Sequence, residues 1–209
     1  MSFPPHYGDR LIIDSGLVQL ELFHDGIEEQ VKDLLLNAEI FPDITAPYVF
    51  PWYRGLRASP KDNIQSCIEF NKDIIKDSTT SSWRLPFFIR YHGNLIGGQE
   101  IRGHTIGTNL IMSSGSWLDL KSQGQGLGST ARRVALTYAF NHLNVSTAFS
   151  FCSAANHASA RVSLACGYQE VSPHKIPPLP GEHLTSDMRA FRLCPQSFLA
   201  KSTTISVTH

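Results

Sequence analysis

The sequence lacks paired cysteines. Cys67, Cys152, Cys166 and Cys194 are scattered through 209 residues with no C-x-x-C spacing, which argues against a zinc ribbon and a disulfide scaffold and fits a reducing compartment. The nine histidines form no H-x-H or H-E-x-x-H, so no metal centre is expected. Charge of one sign is also missing, with 18 Lys and Arg against 18 Asp and Glu. No basic stripe points to nucleic acid, and no charge run points to a membrane surface. No apolar run is long enough to span a bilayer, and residues 1–8 have neither the basic start nor the apolar centre of a secretory signal. A cytoplasmic protein is the expectation. What is present is 42% hydrophobic residues, enough for a core, with no repeat and no linker. The chain is read as one domain over residues 1–209.

Residues 116–133 organise the rest. Ser116, Trp117 and Leu118 end an apolar strand, Gly124, Gly126 and Gly128 alternate in a turn, and a helix opens near Leu127. Alternating glycines let backbone approach a ligand. A helix start aims free N–H groups and a positive dipole end at that turn, so the unit is an anion cradle suited to phosphate or pyrophosphate. A P-loop needs a lysine after its last glycine, but Ser129 follows Gly128. A dinucleotide fold needs G-x-G-x-x-G and an acid on the next strand. The spacing here is G-x-G-x-G, and residues 147–153 hold no acid. The pattern [Q/R]-x-x-G-x-[G/A] is met by Gln123, Gly126 and Gly128. A ligand-free glycine loop ahead of a buried helix is the other reading of these residues.

Elsewhere, hydrophobic spacing predicts a first strand within residues 11–22. A helix follows from a capping box of Asp25 and Glu28, with Ile27, Val31, Leu34, Leu35 and Ala38 on its apolar face. The connection over residues 41–60 is rich in aromatics and proline. Its Tyr48, Trp52 and Tyr53 either wall a ligand pocket or pack the loop onto the core. Ser59-Pro60 starts a second helix. Residues 87–91 read as a strand that Pro86 limits toward Trp83. Residues 95–101 return as its hairpin partner, and Gly97-Gly98 marks a bulge or a close contact. Residues 110–120 form the next strand. The central helix is predicted over residues 127–142, with Arg133, Thr137 and Asn141 as its polar stripe. A strand at residues 147–153, a short helix after Asn156 that stops at Gly167, and a last strand at residues 188–193 complete the chain.

This order resembles the GNAT family of N-acetyltransferases. The strand with Trp117, the loop at residues 123–129 and its helix resemble the family's acyl-CoA segment. Asn156, Ser159, Gly167 and Tyr168 stand as in the N-x-x-S-x-x-v-x-x-k-x-G-[FY] segment of the RimJ/RimL-like branch. Residues 83–171 carry the strong resemblance, and residues 10–80 match in outline. The resemblance implies an α/β (α+β) GNAT fold: a mixed, mostly antiparallel sheet of six to seven strands with a splayed pair, flanked by about four helices. It implies an enzyme that transfers acetyl from acetyl-CoA to a primary amine, whether a protein N-terminus, a lysine or a small molecule. The Trp52 loop and residues 114–118 look most like an actinobacterial subgroup, which keeps succinyl-CoA open as donor. Oligomeric state is left as monomer or homodimer.

By the same resemblance, Trp117, Leu118, Gln123, Gly124, Gln125, Gly126, Leu127, Gly128, Ser129, Asn156 and Ser159 would hold the acyl-CoA. An N–H near Trp117 would face the thioester oxygen, and Asn156 could also cap its own helix. Ser159 stands where a hydroxyl meets the CoA sulfur. Glu182 or Glu100 is the candidate base, with His157 and His183 as weaker candidates, and Tyr48, Trp52 and Tyr53 would border the acceptor. A non-catalytic CoA-binding regulatory module on the same fold, and a nucleotide-binding enzyme using the glycine loop, are the competing readings.

Overall fold

The computed structural model describes residues 3–40, 52, 59–180, 184–185 and 187–209. Tyr48, Tyr53, Glu182 and His183 lie outside the described residues. Nine strands form one sheet: β1 (Ile12–Asp14), β2 (Val18–Leu22), β3 (Ser82–Tyr91), β4 (Asn94–Ile106), β5 (Asn109–Leu118), β6 (Thr147–Ser153), β7 (Gln169–Val171), β8 (Met188–Leu193) and β9 (Ser206–Thr208), in the spatial order β7-β8-β6-β5-β4-β3-β2-β1-β9. The β5–β6 pair is parallel and the other neighbouring pairs are antiparallel. The helices are α1 (Glu28–Asn37), α2 (Pro60–Lys76), α3 (Leu127–His142), α4 (His157–Ala165) and the single turn α5 (Pro195–Phe198).

The expected class is borne out, but among the described residues the sheet is larger than six to seven strands and there are five α-helices where about four were expected. The region read as one strand over residues 11–22 is two, folded back at a turn where the Asp14 side chain accepts from Gly16 N at 2.7 Å. β9 follows the strand expected to be last and closes the edge beside β1. The Asp25–Glu28 capping box does not form. His24 instead caps a 3-10 turn through Gly26 N, at 3.1 Å, and α1 starts without a side-chain cap. The Glu28 carboxylate is committed elsewhere, to the Tyr7 hydroxyl at 2.6 Å and to Lys72. Burial pushes that carboxyl up, but Lys72 and Tyr7 outweigh it and hold its pKa below the ordinary value.

Pro86 does not limit β3, which runs through it to Ser82. Backbone polar groups of one strand residue point to one side. The Pro86 carbonyl accepts from Phe23 N at 3.0 Å, just past the end of β2. The missing proline N–H therefore faces a side where the ladder has already stopped. At α2 the sequence reading holds. Ser59 and Asp62 form a reciprocal capping box, with Pro60 in the first turn, and Ile64, Cys67, Ile68, Ile74 and Ile75 are buried.

Alternation along β3 sorts the layers. The Arg84 guanidinium lies 4.9 Å from the Phe70 ring of α2, and the Phe87 ring lies 6.5 Å from that of Tyr138 on α3. So α2 covers one face of the sheet and α3 the other. The core fills both layers, with Ile13, Leu20, Leu22, Leu85, Ile89, Ala131 and Val134 buried on the α3 side and Cys67, Ile68, Ile75 and Phe88 on the α2 side.

Candidate active site

The site begins where two parallel strands part. β5 and β6 pair from Ile111 and Thr147 to Ser114 and Ser150, and no further. Beyond that point residues 115–118 stay bonded to β4, while residues 151–153 stay bonded to β8. This is the splayed pair expected from the sequence. A cleft of about 770 Å³ passes through the sheet at the split. On the α3 side it is lined by Ser114, Ser116, Arg132 and Cys152, and on the α2 side by Phe70, Asn71, Glu100 and Arg102.

The open edge of β5 offers specific groups. Leu110 O accepts from Ser146 N at 2.8 Å, on the β6 side, and Asp119 N donates to Ile96 O at 2.9 Å, on the β4 side. With a period of two, the backbone groups of Ser116 and Leu118 face the split and those of Trp117 face β4. The amide expected near Trp117 is therefore that of a neighbour. The Trp117 ring lies on the α2 face, 6.0 Å from Trp52 and 6.3 Å from Phe88. Trp52 is 6% exposed and lines the cleft, so it both walls the pocket and packs on the core.

The mouth of the cleft is the glycine loop. Gly124 and Gly126 have φ of +74° and +78°, and a Cβ on either would meet nothing within 4 Å. The first bond of α3 runs from Thr130 N to Gly126 O at 3.0 Å. The amides of Leu127, Gly128 and Ser129 precede it and have no intrahelical partner. Side chains hold the loop in shape: Gln123 Nε2 donates to Leu118 O at 2.9 Å, Gln125 Nε2 to Lys121 O at 2.8 Å, and Ser129 Oγ to Gly126 O at 2.8 Å. Gln123 thus ties the strand end to the loop. A diphosphate fits this cradle on three counts: free amides, a helix N-terminus and space left by absent side chains.

Opposite the loop, Asn156 Oδ1 accepts from Ser159 N at 3.0 Å and caps α4, while the residue also lines the cleft. Both roles read for it in the sequence are compatible with this position. Ser159 lines the cleft beside Cys152. Burial pushes the Cys152 thiol up, and the Ser159 hydroxyl pulls it partly back.

Glu100 lies on the α2 face of the cleft, but it is locked. Arg84 Nε donates to Glu100 Oε1 at 2.5 Å, and Arg102 Nε stands 3.2 Å from the same oxygen. Two guanidiniums occupy one carboxylate oxygen, which suits a structural clamp better than a base. We expect Glu100→Gln to lower kcat/KM by less than about tenfold and to leave the acid limb of the pH–rate profile in place. Removal of a working base costs about 100-fold to 10,000-fold. Steady-state kinetics between pH 5 and 9 would check this, and loss of the acid limb would reinstate Glu100 as the base.

The sequence reading missed Arg132. It sits on α3 beside Arg133, is 2% exposed and lines the cleft. Its Nε donates to Gln99 Oε1 at 3.2 Å, Nη1 to Ser150 Oγ at 3.2 Å and Nη2 to Ser116 Oγ at 2.9 Å. It therefore spans β4, β5 and β6 at the closed end of the split. Thr137, read as part of a polar stripe, is likewise buried and accepts from Thr203 N at 3.3 Å. Among the described residues no group of three or more His, Cys, Asp or Glu is placed to hold a metal ion. No helix among them is long and apolar enough to cross a membrane.

A family model described as an acetyltransferase (GNAT) domain matches residues 31–169. The fold is shared with solved structures of low sequence identity. RimJ from Mycobacterium smegmatis, in complex with CoA-disulfide, is 16% identical at a TM-score of 0.65, over 93% of this chain and 92% of that one. RimL, a ribosomal-protein alpha-N-acetyltransferase, is 15% identical at a TM-score of 0.59, over 92% and 99%. Spermidine N-acetyltransferase from Vibrio cholerae, in complex with CoA and spermine, is 18% identical at a TM-score of 0.59, over 88% and 98%.

Proposed function

Since the chain belongs to the GNAT acetyltransferase family, we propose that it transfers an acyl group from a coenzyme A thioester to a primary amine by direct attack. The observation that carries this reading is the continuity of the cleft. It joins the free amides at the start of α3 to the split between β5 and β6 and emerges on the α2 face. The loop amides of residues 127–129 would hold the pyrophosphate. The amide-bearing pantetheine arm would pair with the open backbone edge at Ser116 and the Leu118 N–H, the Leu118 carbonyl being held by Gln123, with Asn156 on its other side. An edge amide would also stabilise the oxyanion as the amine attacks, and the Ser159 hydroxyl would protonate or shield the departing thiolate. Acetyl-CoA is the reference donor, and succinyl-CoA stays within the reading. The acceptor amine would enter from the α2 face, past Phe70 and Trp52.

A CoA-binding module without turnover is the second reading. What favours it is the clamped state of Glu100, which leaves no free carboxylate among the described residues of the cleft. A thermal-shift series with acetyl-CoA, succinyl-CoA, free CoA, ATP and NAD tests the first step. Ligand at a hundred times its dissociation constant stabilises by about 2.7 kcal/mol, which for a chain of this size is about 5–10 °C. A shift with CoA species alone supports the acyl-CoA reading, and its absence removes it. Binding without turnover on a broad amine panel would select the module.

A further inference from the structure

Among the described residues, the closed end of the split holds a cation with no anion. Arg132 is fully buried, and an arginine keeps its charge in any folded protein. Its hydrogen-bond partners among the described residues are neutral: Gln99, Ser116 and Ser150. Glu100 is the one acid among the described lining residues. It belongs to the opposite face of the sheet and lies against Arg84 and Arg102. Three of the five guanidinium N–H groups are used, which leaves two to fork an incoming oxyanion.

Other donors converge there. Ser114 Oγ and Tyr168 Oη are both buried without a hydrogen-bond partner among the described residues. Ser114 lines the cleft, at the last pairing of β5 with β6. Tyr168 is buried behind the cleft wall; burial pushes its hydroxyl up to about 12, and the neighbouring Arg132 and Ser114 pull against this. The pyrophosphate cradle is not the missing anion. It stands at the mouth, by Leu118, and four residues of strand, about 13 Å, separate Leu118 from Ser114. An acetyl methyl would meet a polar floor here, whereas a carboxylate would find paired donors.

We propose that Arg132, with Ser114 and Tyr168 behind it, is a carboxylate-recognition site at the floor of the reaction chamber. This rests on the acyl-CoA reading above. The carboxylate has two sources, the far end of a dicarboxylic acyl group on the donor or the free carboxylate of an amino-acid-like acceptor, and the test separates them.

Dissociation constants for acetyl-CoA, succinyl-CoA and free CoA would be measured on wild type, Arg132→Met and Arg132→Lys. In parallel, kcat/KM would be measured for amino acids against the same amino acids as amides. If the donor supplies the carboxylate, wild type prefers succinyl-CoA to acetyl-CoA by about 30-fold or more. Arg132→Met abolishes the preference, and Arg132→Lys, which keeps the charge but not the fork, retains part of it. If the acceptor supplies it, the donors bind alike and the preference for acid over amide is what disappears in Arg132→Met. Circular dichroism and thermal denaturation report on folding of each variant, since the pantetheine arm of free CoA would itself run past Ser116, a partner of Arg132. The proposal is overturned if wild type shows neither preference, or if whichever preference it shows survives in Arg132→Met. Failure of wild type to bind free CoA would instead fall on the acyl-CoA reading and remove both together.

Discussion

Gly126→Glu is expected to abolish CoA binding while leaving the protein folded. Gly126 caps α3 with φ +78°, and a side chain there would project into open space. The cost to the fold is therefore backbone strain, about 1–2 kcal/mol for a non-glycine residue in this region, or a fall in Tm of about 2–8 °C. The cost to the ligand is larger. The new carboxylate would sit at the start of the helix, where the dipole and the amides of residues 127–129 would otherwise meet the pyrophosphate. It would stabilise itself there and repel the diphosphate, and a loss of affinity of at least about 100-fold follows. Gly126→Asn is the control, because asparagine tolerates the left-handed region and brings no charge. Gly128→Ala should also bind, since its Cβ would lie 3.4 Å from Leu118 Cδ1, at ordinary contact. Calorimetric titration of free CoA on the three variants decides the matter. Equal weakening by Gly126→Asn and Gly126→Glu would mean that loop geometry, and not anion binding, was disturbed.

Gly97→Ala is expected to damage both stability and binding through one displacement. A Cβ on Gly97 would lie 2.1 Å from Trp117 O and 2.9 Å from Leu118 Cα. Neither atom can rotate away, so β4 and β5 must separate at the pairing of Gly97 with Leu118. Overpacking against backbone costs about 3 kcal/mol or more, which corresponds to a fall of about 6–12 °C in Tm. The displaced segment is the part of β5 that presents Ser116 and Leu118 to the split, so affinity for CoA should fall about tenfold as well. Gly98→Ala makes the contrast. Its Cβ would come 2.6 Å from the Trp117 indole, a side chain able to shift, and the expected loss of stability is smaller. Urea denaturation followed by CoA titration would test the pair. Wild-type stability in Gly97→Ala would show that β4 and β5 can part at no cost.

The same positions show how much the sequence disclosed. Gly97-Gly98 was legible as a bulge or a close contact, and it is both: Ile89 pairs with Gly97 and Arg90 with Leu95, which leaves Ile96 as the extra residue. The strand, glycine loop and helix were legible because each signal is local. α3 begins and ends where its periodicity stops, at Leu127 and His142. Asn156 was legible as a cap for a similar reason. What depended on distant partners was not. Pro86 looked like a boundary because its tolerance rests on where β2 happens to end. Glu100 looked available because its clamp comes from Arg84, sixteen residues away on another strand. Arg132 and Arg133 are adjacent and alike in sequence. Only the split between β5 and β6, a tertiary feature, distinguishes the buried guanidinium from its neighbour.

The order of the strands also bears on how the chain is made. From β2 through β5 each strand pairs with its successor, so this part of the sheet can form as the chain lengthens. β9 breaks the pattern by lying beside β1, where Ile12 pairs with Thr208. During synthesis on a ribosome the outer edge of β1 stays uncovered until residues 206–208 have emerged. Throughout that interval it is a template for any passing strand. Closure then joins segments separated by nearly the whole chain, a contact that carries a large loop-closure entropy and forms late. Completion of the sheet would therefore be read at its β9 edge, far from the split between β5 and β6.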